Sequence, residues 1–265
     1  MDDWAYHEDY SLFHGSLPRV MGTRLEFVTS GAPLAAMLPF WNGLKEEALR
    51  LDAMLNRFDP DSAVSRLRED SFRHSVEAGP ALAPLLREAL RYRTLTGGLF
   101  DITLGRGGVR HESCGFILDK AALDFGGFAK GYFLRETKDR LLAAGIENAF
   151  VDFGASAILG VGSHPHGDCW LVDVNDPFHP GTVLTSIRLH DRALSTSGNT
   201  PLYSGHIVHP ATGRAVEGRM VVTAEADDPL DAEVLSTALM AASPEERAAI
   251  EGNFPGVRTE IFEIQ

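Results

Sequence analysis

The segment LDFGGFAKGY, residues 123–132, joins a predicted strand to a predicted helix. The strand ends at Asp124, two consecutive glycines then let the backbone turn tightly, and the helix begins near Phe128. The first turn of a helix carries unpaired backbone N–H groups, and Lys130 adds a positive charge beside them. The segment therefore predicts a cradle for a pyrophosphate group, and the alternative is a plain strand-to-helix connection.

Hydrophobic periodicity on both sides of this segment predicts the other helices and strands. Another helix begins at Asp228-Pro229, an N-cap aspartate followed by a proline at the first helical position. The other predicted helices cover residues 41–57, 81–96 and 128–144, and the predicted strands cover residues 20–29, 116–119, 122–125, 148–153, 169–174, 183–189 and 219–224. The order is neither a βαβ repetition nor all-β, so the sequence predicts the α+β class with a mixed sheet flanked by helices. We expect one domain over residues 1–265, in which residues 1–18 form an N-terminal extension.

The composition is that of a globular protein and argues against several classes of partner. The chain has 265 residues, of which 44% are hydrophobic, and a formal net charge of −13. We expect no nucleic-acid partner, because duplex binding needs an excess of lysine and arginine. We expect no transmembrane segment, because no stretch approaches about 18 consecutive apolar residues. The acidic N-terminus MDDWAYHEDY predicts a cytoplasmic protein as written, and a periplasmic or membrane-anchored one if a leader has been removed.

The segment DAEVLSTAL, residues 231–239, predicts a site for a divalent cation. Glu233 and Thr237 lie four residues apart and share one face of a helix, with Ser236 beside them. One carboxylate and hydroxyl oxygens suit a hard cation such as Mg²⁺, completed by water and a substrate phosphate. The alternative is a solvated helix face with a hydroxyl bonded to the backbone. Asp231 is interpreted as a charge that stabilises the N-terminus of the helix.

The segment GHIVHPATG, residues 205–213, contributes candidates for a general base. His206 and His209 flank a short predicted strand that ends in a proline-containing turn. A histidine beside a phosphate site can accept a hydroxyl proton at neutral pH. A histidine in a loop can equally be structural or merely exposed, so this segment alone leaves the question open.

Nine collinear segments, taken together, resemble the FAD:protein FMN transferase family known as ApbE. The segments are MGT (21–23), FDPDSAVSRL (58–67), GGLFDITLG (97–105), LDFGGFAKGY (123–132), VDFGAS (151–156), CWLVDVNDP (169–177), LSTSGN (194–199), HIVHPATG (206–213) and LSTAL (235–239). The resemblance implies an ApbE-like α+β fold that binds FAD. It also implies a Mg²⁺-dependent transfer of FMN from FAD to a threonine of an acceptor flavoprotein, with release of AMP.

The resemblance also implies contacts with the flavin dinucleotide. The positions that match such contacts are Met21, Phe58, Leu99, Phe100, Asp101, Asp124, Lys130 and Ile207. Phe58 stands where the family usually has a tyrosine that stacks on FAD. Asp124 and Lys130 match contacts on the pyrophosphate side of the ligand.

A metal site and a base follow from the same resemblance. The Gly127 carbonyl and the Thr237 side chain match metal ligands. Glu233 stands in the place of the family's metal-binding aspartate and is one methylene longer. His206 lies in the segment that matches the family's histidine motif, so we expect it to accept the proton of the attacking threonine.

Three further positions depart from the family pattern toward lower negative charge. Gly154-Ala155-Ser156 replaces the usual Gly-Gly-Asp, His209 replaces an aspartate of the histidine motif, and Asn199 replaces another frequent aspartate. We expect these substitutions to affect catalysis more than FAD binding. The segment after DITLG and the loop between Asn199 and Gly205 are also shorter than the family pattern, which marks a divergent member with shortened loops. A site opened by shorter loops favours an FAD pyrophosphatase that yields FMN and AMP as one alternative. The other alternative is a non-catalytic flavin-binding protein that has lost the metal site.

Overall fold

The computed structural model of the chain describes residues 3–70, 75–112, 115–119 and 122–265. Its helices are α1 (Leu34–Leu55), α2 (Ala63–Asp70), α3 (Gly79–Leu95), α4 (Ala129–Ala143), α5 (Pro229–Ala241) and α6 (Pro244–Glu251). Its strands are β1 (Trp4–His7), β2 (Leu12–Val20), β3 (Thr23–Ser30), β4 (Gly108–Glu112), β5 (Gly115–Asp119), β6 (Ala149–Phe153), β7 (Ala157–Val161), β8 (Trp170–Asn175), β9 (Val183–Leu189), β10 (Arg192–Gly198), β11 (Val208–His209), β12 (Arg214–Ala215), β13 (Met220–Ala226) and β14 (Arg258–Glu263).

Eight strands form one antiparallel sheet at the centre of the molecule, in the order β1-β2-β3-β6-β7-β10-β13-β14. Successive side chains of a strand point to opposite faces, and here they join two separate apolar clusters. On β7, Leu159 belongs to the larger cluster and Ile158 to the smaller, and Val222 and Val221 divide in the same way on β13. Helices α1, α4 and α5 pack on the larger cluster, and the β8–β9 hairpin covers the smaller one through Trp170.

The predicted α+β class is confirmed, together with most of the predicted elements. Helices α3 and α4 match the predicted helices 81–96 and 128–144 to within a few residues. Helix α5 begins at Pro229, and the Asp228 side chain caps it by accepting a hydrogen bond from the Leu230 amide. The predicted strands 116–119, 148–153, 169–174, 183–189 and 219–224 correspond to β5, β6, β8, β9 and β13.

Other predicted features differ from the structure. The pairings among the described strands are antiparallel, where a mixed sheet was expected, because α4 leads from the separate β4–β5 hairpin into β6 and does not cross between neighbouring strands of the large sheet. Residues 20–29 include a hairpin turn, since Met21 and Gly22 have φ values of 48° and 76°. Helix α1 begins before residue 41, and residues 122–125 form no strand.

The first part of the chain also has more structure than its sequence suggested. No strand was predicted before residue 20, yet β1 and β2 are the first two strands of the large sheet. The expected N-terminal extension over residues 1–18 stays a prediction. Phe13 of β2 is fully buried, because it packs between Trp4 and Phe27 in the core. Within the described ranges, none of the helices combines the length and the apolar character that a membrane span requires.

A partly buried polar network fixes α5 against α3 and α4. Arg135 of α4 forms two hydrogen bonds with the carboxylate of Asp228, at 2.7 and 2.6 Å, and donates to the phenol oxygen of Tyr92 in α3 at 2.8 Å. Helices α4 and α5 also approach closely at Gly131, where an added Cβ would lie 2.5 Å from the Cβ of Glu233. These contacts hold the start of α4 and the middle of α5 close together. The candidate active site lies between these two helix segments.

Candidate active site

A cavity of about 1650 Å³ opens between the start of α4, the middle of α5, strand β10 and the loop of residues 199–208. This volume exceeds the roughly 300–1,000 Å³ that is usual for drug-sized ligands, so the cavity is large enough for a dinucleotide. The predicted site residues that line it are Met21, Phe58, Leu99, Phe100, Asp101, Asp124, Gly127, Lys130, His206, Ile207, Glu233 and Thr237. The fold thus brings together side chains from distant segments of the sequence.

An ion pair between α4 and α5 forms the buried end of the cavity. The Lys130 Nζ lies 2.6 Å from the Glu233 Oε1, and the two side chains are only 17% and 4% exposed. The second carboxylate oxygen of Glu233 accepts a hydrogen bond from the Ser195 Oγ at 3.0 Å. Both oxygens of this buried carboxylate are therefore engaged by side chains of the chain itself.

A row of hydroxyl groups continues from this ion pair along β10 and α5. The Ser236 Oγ lies 2.9 Å from the Ser195 Oγ and 2.9 Å from the Ser197 Oγ, and the Thr237 Oγ1 lies 3.4 Å from the Ser197 Oγ. The Ser236 and Thr237 hydroxyls also donate to the Glu233 carbonyl, as the alternative of a backbone-bonded hydroxyl predicted. Ser236 is fully buried behind the cavity wall, so we leave it out of the proposed ligand set.

The oxygen atoms at this end of the cavity have the chemistry that a hard divalent cation requires. Gly127 packs directly against Thr237, because a Cβ added at Gly127 would lie 2.9 Å from the Thr237 Oγ1. A backbone carbonyl, a hydroxyl and the Glu233 carboxylate are hard donors of the kind that Mg²⁺ prefers. The described residues contain no cluster of three or more His, Cys, Asp or Glu side chains suited to a metal. A cation here would therefore depend on one carboxylate, which now pairs with Lys130.

The helix start offers fewer free amide groups than its sequence predicted. The Gly126 amide donates to the Asp124 Oδ1 at 2.8 Å. The Phe128 and Ala129 amides both donate to the Phe125 carbonyl, at 3.0 and 2.9 Å. Because these three groups are satisfied within the chain, the Lys130 ammonium becomes the more important candidate for contact with a phosphate.

Arg57 is another cation in the wall of the cavity, and the sequence analysis did not single it out. Its guanidinium lies 2.7 Å from the Asp124 Oδ2 and 4.7 Å from the centre of the Phe58 ring. The Phe58 side chain is 82% exposed, so its ring has a free face on which another ring can stack. The position of Arg57, directly before Phe58, is the sequence signal that could have identified it.

The loop after α3 shapes the cavity mainly through contacts with the protein core. The Phe100 ring packs against the rings of Tyr92 and Phe128, at centroid distances of 6.5 and 6.2 Å. The buried Asp101 carboxylate accepts hydrogen bonds from the amide of Thr103 and from the Nε of Arg93, at 2.8 and 3.1 Å. The carboxylate of Asp101 therefore stabilises the loop, and Leu99 beside it presents a mostly buried apolar side chain.

His206 lies in the loop of residues 199–208 and lines the same cavity as the ion pair. Its imidazole stacks on the Tyr203 ring, with centroids 4.2 Å apart and planes inclined by 26°. Although much of His206 is exposed to solvent, partial desolvation of its imidazole lowers the pKa below the ordinary value of 6.5, and the positive charge of Lys130 lowers it further. The ring is therefore neutral at pH 7 and able to accept a proton.

Three other candidate residues have different surroundings from His206. His209 does not line the cavity, and its Nδ1 accepts a hydrogen bond from the Ala211 amide at 3.2 Å within the β11–β12 turn. Ile207 is buried in the larger apolar cluster, and anchors the loop there. Asp231, interpreted as a charge at the start of α5, accepts a hydrogen bond from the Tyr92 hydroxyl at 2.6 Å and also lies outside the cavity.

The protein is thus of the α+β class and has a cavity large enough for a dinucleotide. The cavity ends at Lys130, at the buried Glu233 carboxylate and at the start of α4. Such a cavity fits a ligand that carries phosphate groups. The chain belongs to the ApbE family, because the model of that family matches residues 21–108 and 108–258.

Relatives and solved structures agree with this membership. The chain is 28% identical over 90% of its length to an FAD:protein FMN transferase of Rhodobacter capsulatus, and spans about half, 53%, of that protein. It is 25% identical over 74% of its length to an FAD:protein FMN transferase of Vibrio cholerae, and covers 71% of that protein. The solved flavin transferase ApbE from Vibrio cholerae has the same fold, with a TM-score of 0.81 at 21% identity over 94% of this chain and 93% of the other.

Proposed function

We propose that this chain catalyses a Mg²⁺-dependent transfer of FMN from FAD to a threonine of an acceptor flavoprotein, with release of AMP. Membership of the ApbE family and the names of the curated relatives support flavin transfer. The structural observation that carries the proposal is the meeting of Lys130, Glu233 and Thr237 at the end of a cavity large enough for a dinucleotide.

The proposed reaction exchanges one bond to phosphorus for another. The threonine Oγ forms a bond to the phosphorus of the FMN half, and the bond from that phosphorus to the oxygen of the AMP phosphate breaks. Lys130 holds the pyrophosphate by its positive charge. Glu233, Thr237 and the Gly127 carbonyl would hold Mg²⁺, which supplies positive charge against the charge that develops on the phosphates.

His206 is the proposed acceptor of the threonine proton. His206 lines the cavity together with Lys130, and its imidazole is neutral at pH 7 because its pKa is lowered. A general base in this position removes the proton as the oxygen attacks, and a positioned base contributes about a hundredfold to ten-thousandfold in rate. The adjacent stack with Tyr203 limits the orientations that the imidazole can take.

An FAD pyrophosphatase is the second candidate, and the exposure of the loop favours it. Tyr203 is 62% exposed and Leu202 is 98% exposed, so the side of the cavity that contains His206 is open to solvent. Water could then replace threonine as the attacking group, and the products would be FMN and AMP.

The experiment that separates these functions measures AMP and protein-bound flavin in the same samples. The protein is incubated with FAD and Mg²⁺, with and without an acceptor that the Vibrio cholerae relative flavinylates, and with the Thr→Val form of that acceptor. AMP release together with flavin that stays on the acceptor after denaturation supports the transferase. AMP release without bound flavin supports the pyrophosphatase. FAD binding without AMP supports the non-catalytic flavin-binding protein and overturns the proposal.

A further inference from the structure

The two side chains of the ion pair at the end of the cavity are the same two that the proposed function assigns to FAD and to the metal ion. Lys130 is assigned to the pyrophosphate and Glu233 to the metal, yet the two side chains bind each other at 2.6 Å. We infer that Lys130 occupies the Glu233 carboxylate until a pyrophosphate group draws the lysine away, so that this one side chain couples FAD binding to metal binding. The inference rests on the proposed function, because it concerns regulation of the same site.

Each oxygen of the carboxylate already has a partner within the chain, and the partner of Oε1 carries a positive charge. Lys130 holds the Oε1 and the Ser195 hydroxyl holds the Oε2, and only 4% of the Glu233 side chain is exposed. A divalent cation bound to the Glu233 carboxylate would lie within contact distance of the positively charged Lys130 ammonium. Like charges at such a distance repel strongly where water is excluded, so the ammonium has to leave first.

Close packing of the two helices favours movement of the lysine over movement of the backbone. Gly131 and Glu233 pack so closely that an added Cβ at Gly131 would meet the Glu233 Cβ at 2.5 Å, and the Pro229 carbonyl at 2.9 Å. This contact fixes the backbone of Glu233 against α4, so separation of the pair by a shift of the helices would disturb a tightly packed position. The Lys130 ammonium ends a flexible four-carbon stem, and among the described residues it also donates a hydrogen bond to the Gly126 carbonyl at 3.4 Å.

The pairing also explains how a buried carboxylate is tolerated without ligands. A buried charge without a partner is strongly destabilising, whereas an ion pair with an additional hydrogen bond is tolerated. When a pyrophosphate arrives, its negative charge competes with Glu233 for Lys130. The carboxylate that is released then attracts a cation, and each ligand strengthens the binding of the other by the same factor.

The metal half of the coupling is tested with Mn²⁺ alone, without any nucleotide, by electron paramagnetic resonance of the free ion. Lys130→Met removes the competing ammonium, and the Mn²⁺ dissociation constant should fall about tenfold or more, within the usual range of coupling between sites. Lys45→Met is the matched control, because Lys45 pairs with Asp3 at 2.5 Å and does not line the cavity. Unchanged or weaker Mn²⁺ binding by Lys130→Met would overturn the inference.

The FAD half is tested in EDTA, without any metal, by fluorescence titration. Glu233→Gln releases Lys130 for the pyrophosphate, and FAD should bind about tenfold or more tightly than to the unmodified protein. Asp173→Asn removes another carboxylate from the cavity wall, one that accepts a hydrogen bond from Ser186, and should change FAD binding much less. Equal effects of the two variants would show a general charge effect and overturn the inference.

The Mn²⁺ titration and the FAD titration test this inference independently of the proposed function. Each titration omits one of the two ligands, so neither depends on turnover, and Glu233→Gln carries the test if Lys130→Met does not fold. Coupling without AMP release would leave the inference standing and defeat the proposed function. AMP release and flavin transfer without either affinity change would defeat the inference alone.

Discussion

The two walls of the cavity differ in how their polar groups are held. The helix wall, formed by Lys130, Glu233, Ser195 and Thr237, is buried or half-buried, and its groups are bonded to each other between α4, α5 and β10. The loop wall, formed by residues 200–208, is largely exposed. A change in the helix wall should therefore alter binding and stability together, while a change in the loop wall should alter the reaction alone.

The largest effect is expected from Glu233→Gln, in the helix wall. The amide keeps the size of the side chain but removes the only carboxylate of the proposed metal site, so Mg²⁺-dependent turnover should fall by about a thousandfold or more. AMP release at increasing Mg²⁺ and Mn²⁺ concentrations measures the loss. Glu233→Asp, which restores the family residue, keeps the carboxylate and tests the effect of a side chain that is one methylene shorter. Full metal-dependent turnover in Glu233→Gln would mean that another group holds the cation.

The next effect is expected from His206→Ala, in the loop wall. Loss of a positioned base should lower turnover by about a hundredfold to ten-thousandfold and leave FAD affinity nearly unchanged. His209→Ala is the matched control, because His209 is three residues away and does not line the cavity. If His209→Ala lost turnover and His206→Ala kept it, the general base would be His209 and not His206.

The pH dependence gives a second measure of His206. The base works when the imidazole is neutral, so turnover should fall as pH drops through the pKa of His206. Partial burial and the charge of Lys130 lower that pKa below 6.5, so the fall should occur at a more acidic pH than for an ordinary histidine. A rate profile of single-turnover AMP release from bound FAD reports this midpoint. A midpoint above 6.5 would contradict the assignment.

A smaller effect is expected from Lys130→Ala, measured as affinity. Removal of a charge-assisted contact with the pyrophosphate should weaken FAD binding by about tenfold to a hundredfold. Riboflavin, which has no phosphate, should bind almost as before. Equal weakening of the two ligands in fluorescence titrations would show that Lys130 does not face the pyrophosphate.

Gly131→Ala tests whether the helix wall is also a structural contact. A methyl group at this position would meet the Glu233 Cβ, and overpacking of this kind costs about 1–3 kcal/mol in the free energy of unfolding. The helix preference of alanine, about 1 kcal/mol, offsets part of that cost. Gly43→Ala in α1 is the control, because nothing lies within 4 Å of its added Cβ, so it should be neutral or stabilising. Equal denaturation midpoints for the two variants would contradict the close contact.

The sequence predicted the two helices of the helix wall but not the contacts between their side chains. Helices α4 and α5 were evident from periodicity and from the Asp228-Pro229 start, and both were confirmed. The Lys130–Glu233 pair could not be predicted, because it joins positions 103 residues apart through the packing of two helices. Ser195 and Ser197 were missed, although residues two apart on one strand face the same side, and a strand prediction there would have placed both on the site.

The loop wall was predicted from a resemblance and not from local pattern. The segment 205–213 has weak periodicity, and β11 and β12 contain only two residues each, so no hydrophobic repeat could indicate their pairing. The stack of Tyr203 on His206 depends on side-chain orientation in a turn, which the order of residues does not specify. No strand was predicted before residue 20 for a related reason, because strand β1 has only four residues and pairs with a longer neighbour.

The smallest effect is expected from Tyr203→Ala, which removes the stack on His206. A stacked aromatic pair contributes about 0.5–1.5 kcal/mol, so turnover should fall by no more than about tenfold, and FAD affinity should change little. The freed imidazole loses part of its burial, so the pH midpoint of the rate should rise toward 6.5, which a purely structural effect would not cause. Tyr203→Phe keeps the ring and should restore both values, while Leu202→Ala removes a 98% exposed neighbour and should change neither. An unchanged pH midpoint in Tyr203→Ala would show that the stack does not set the environment of His206.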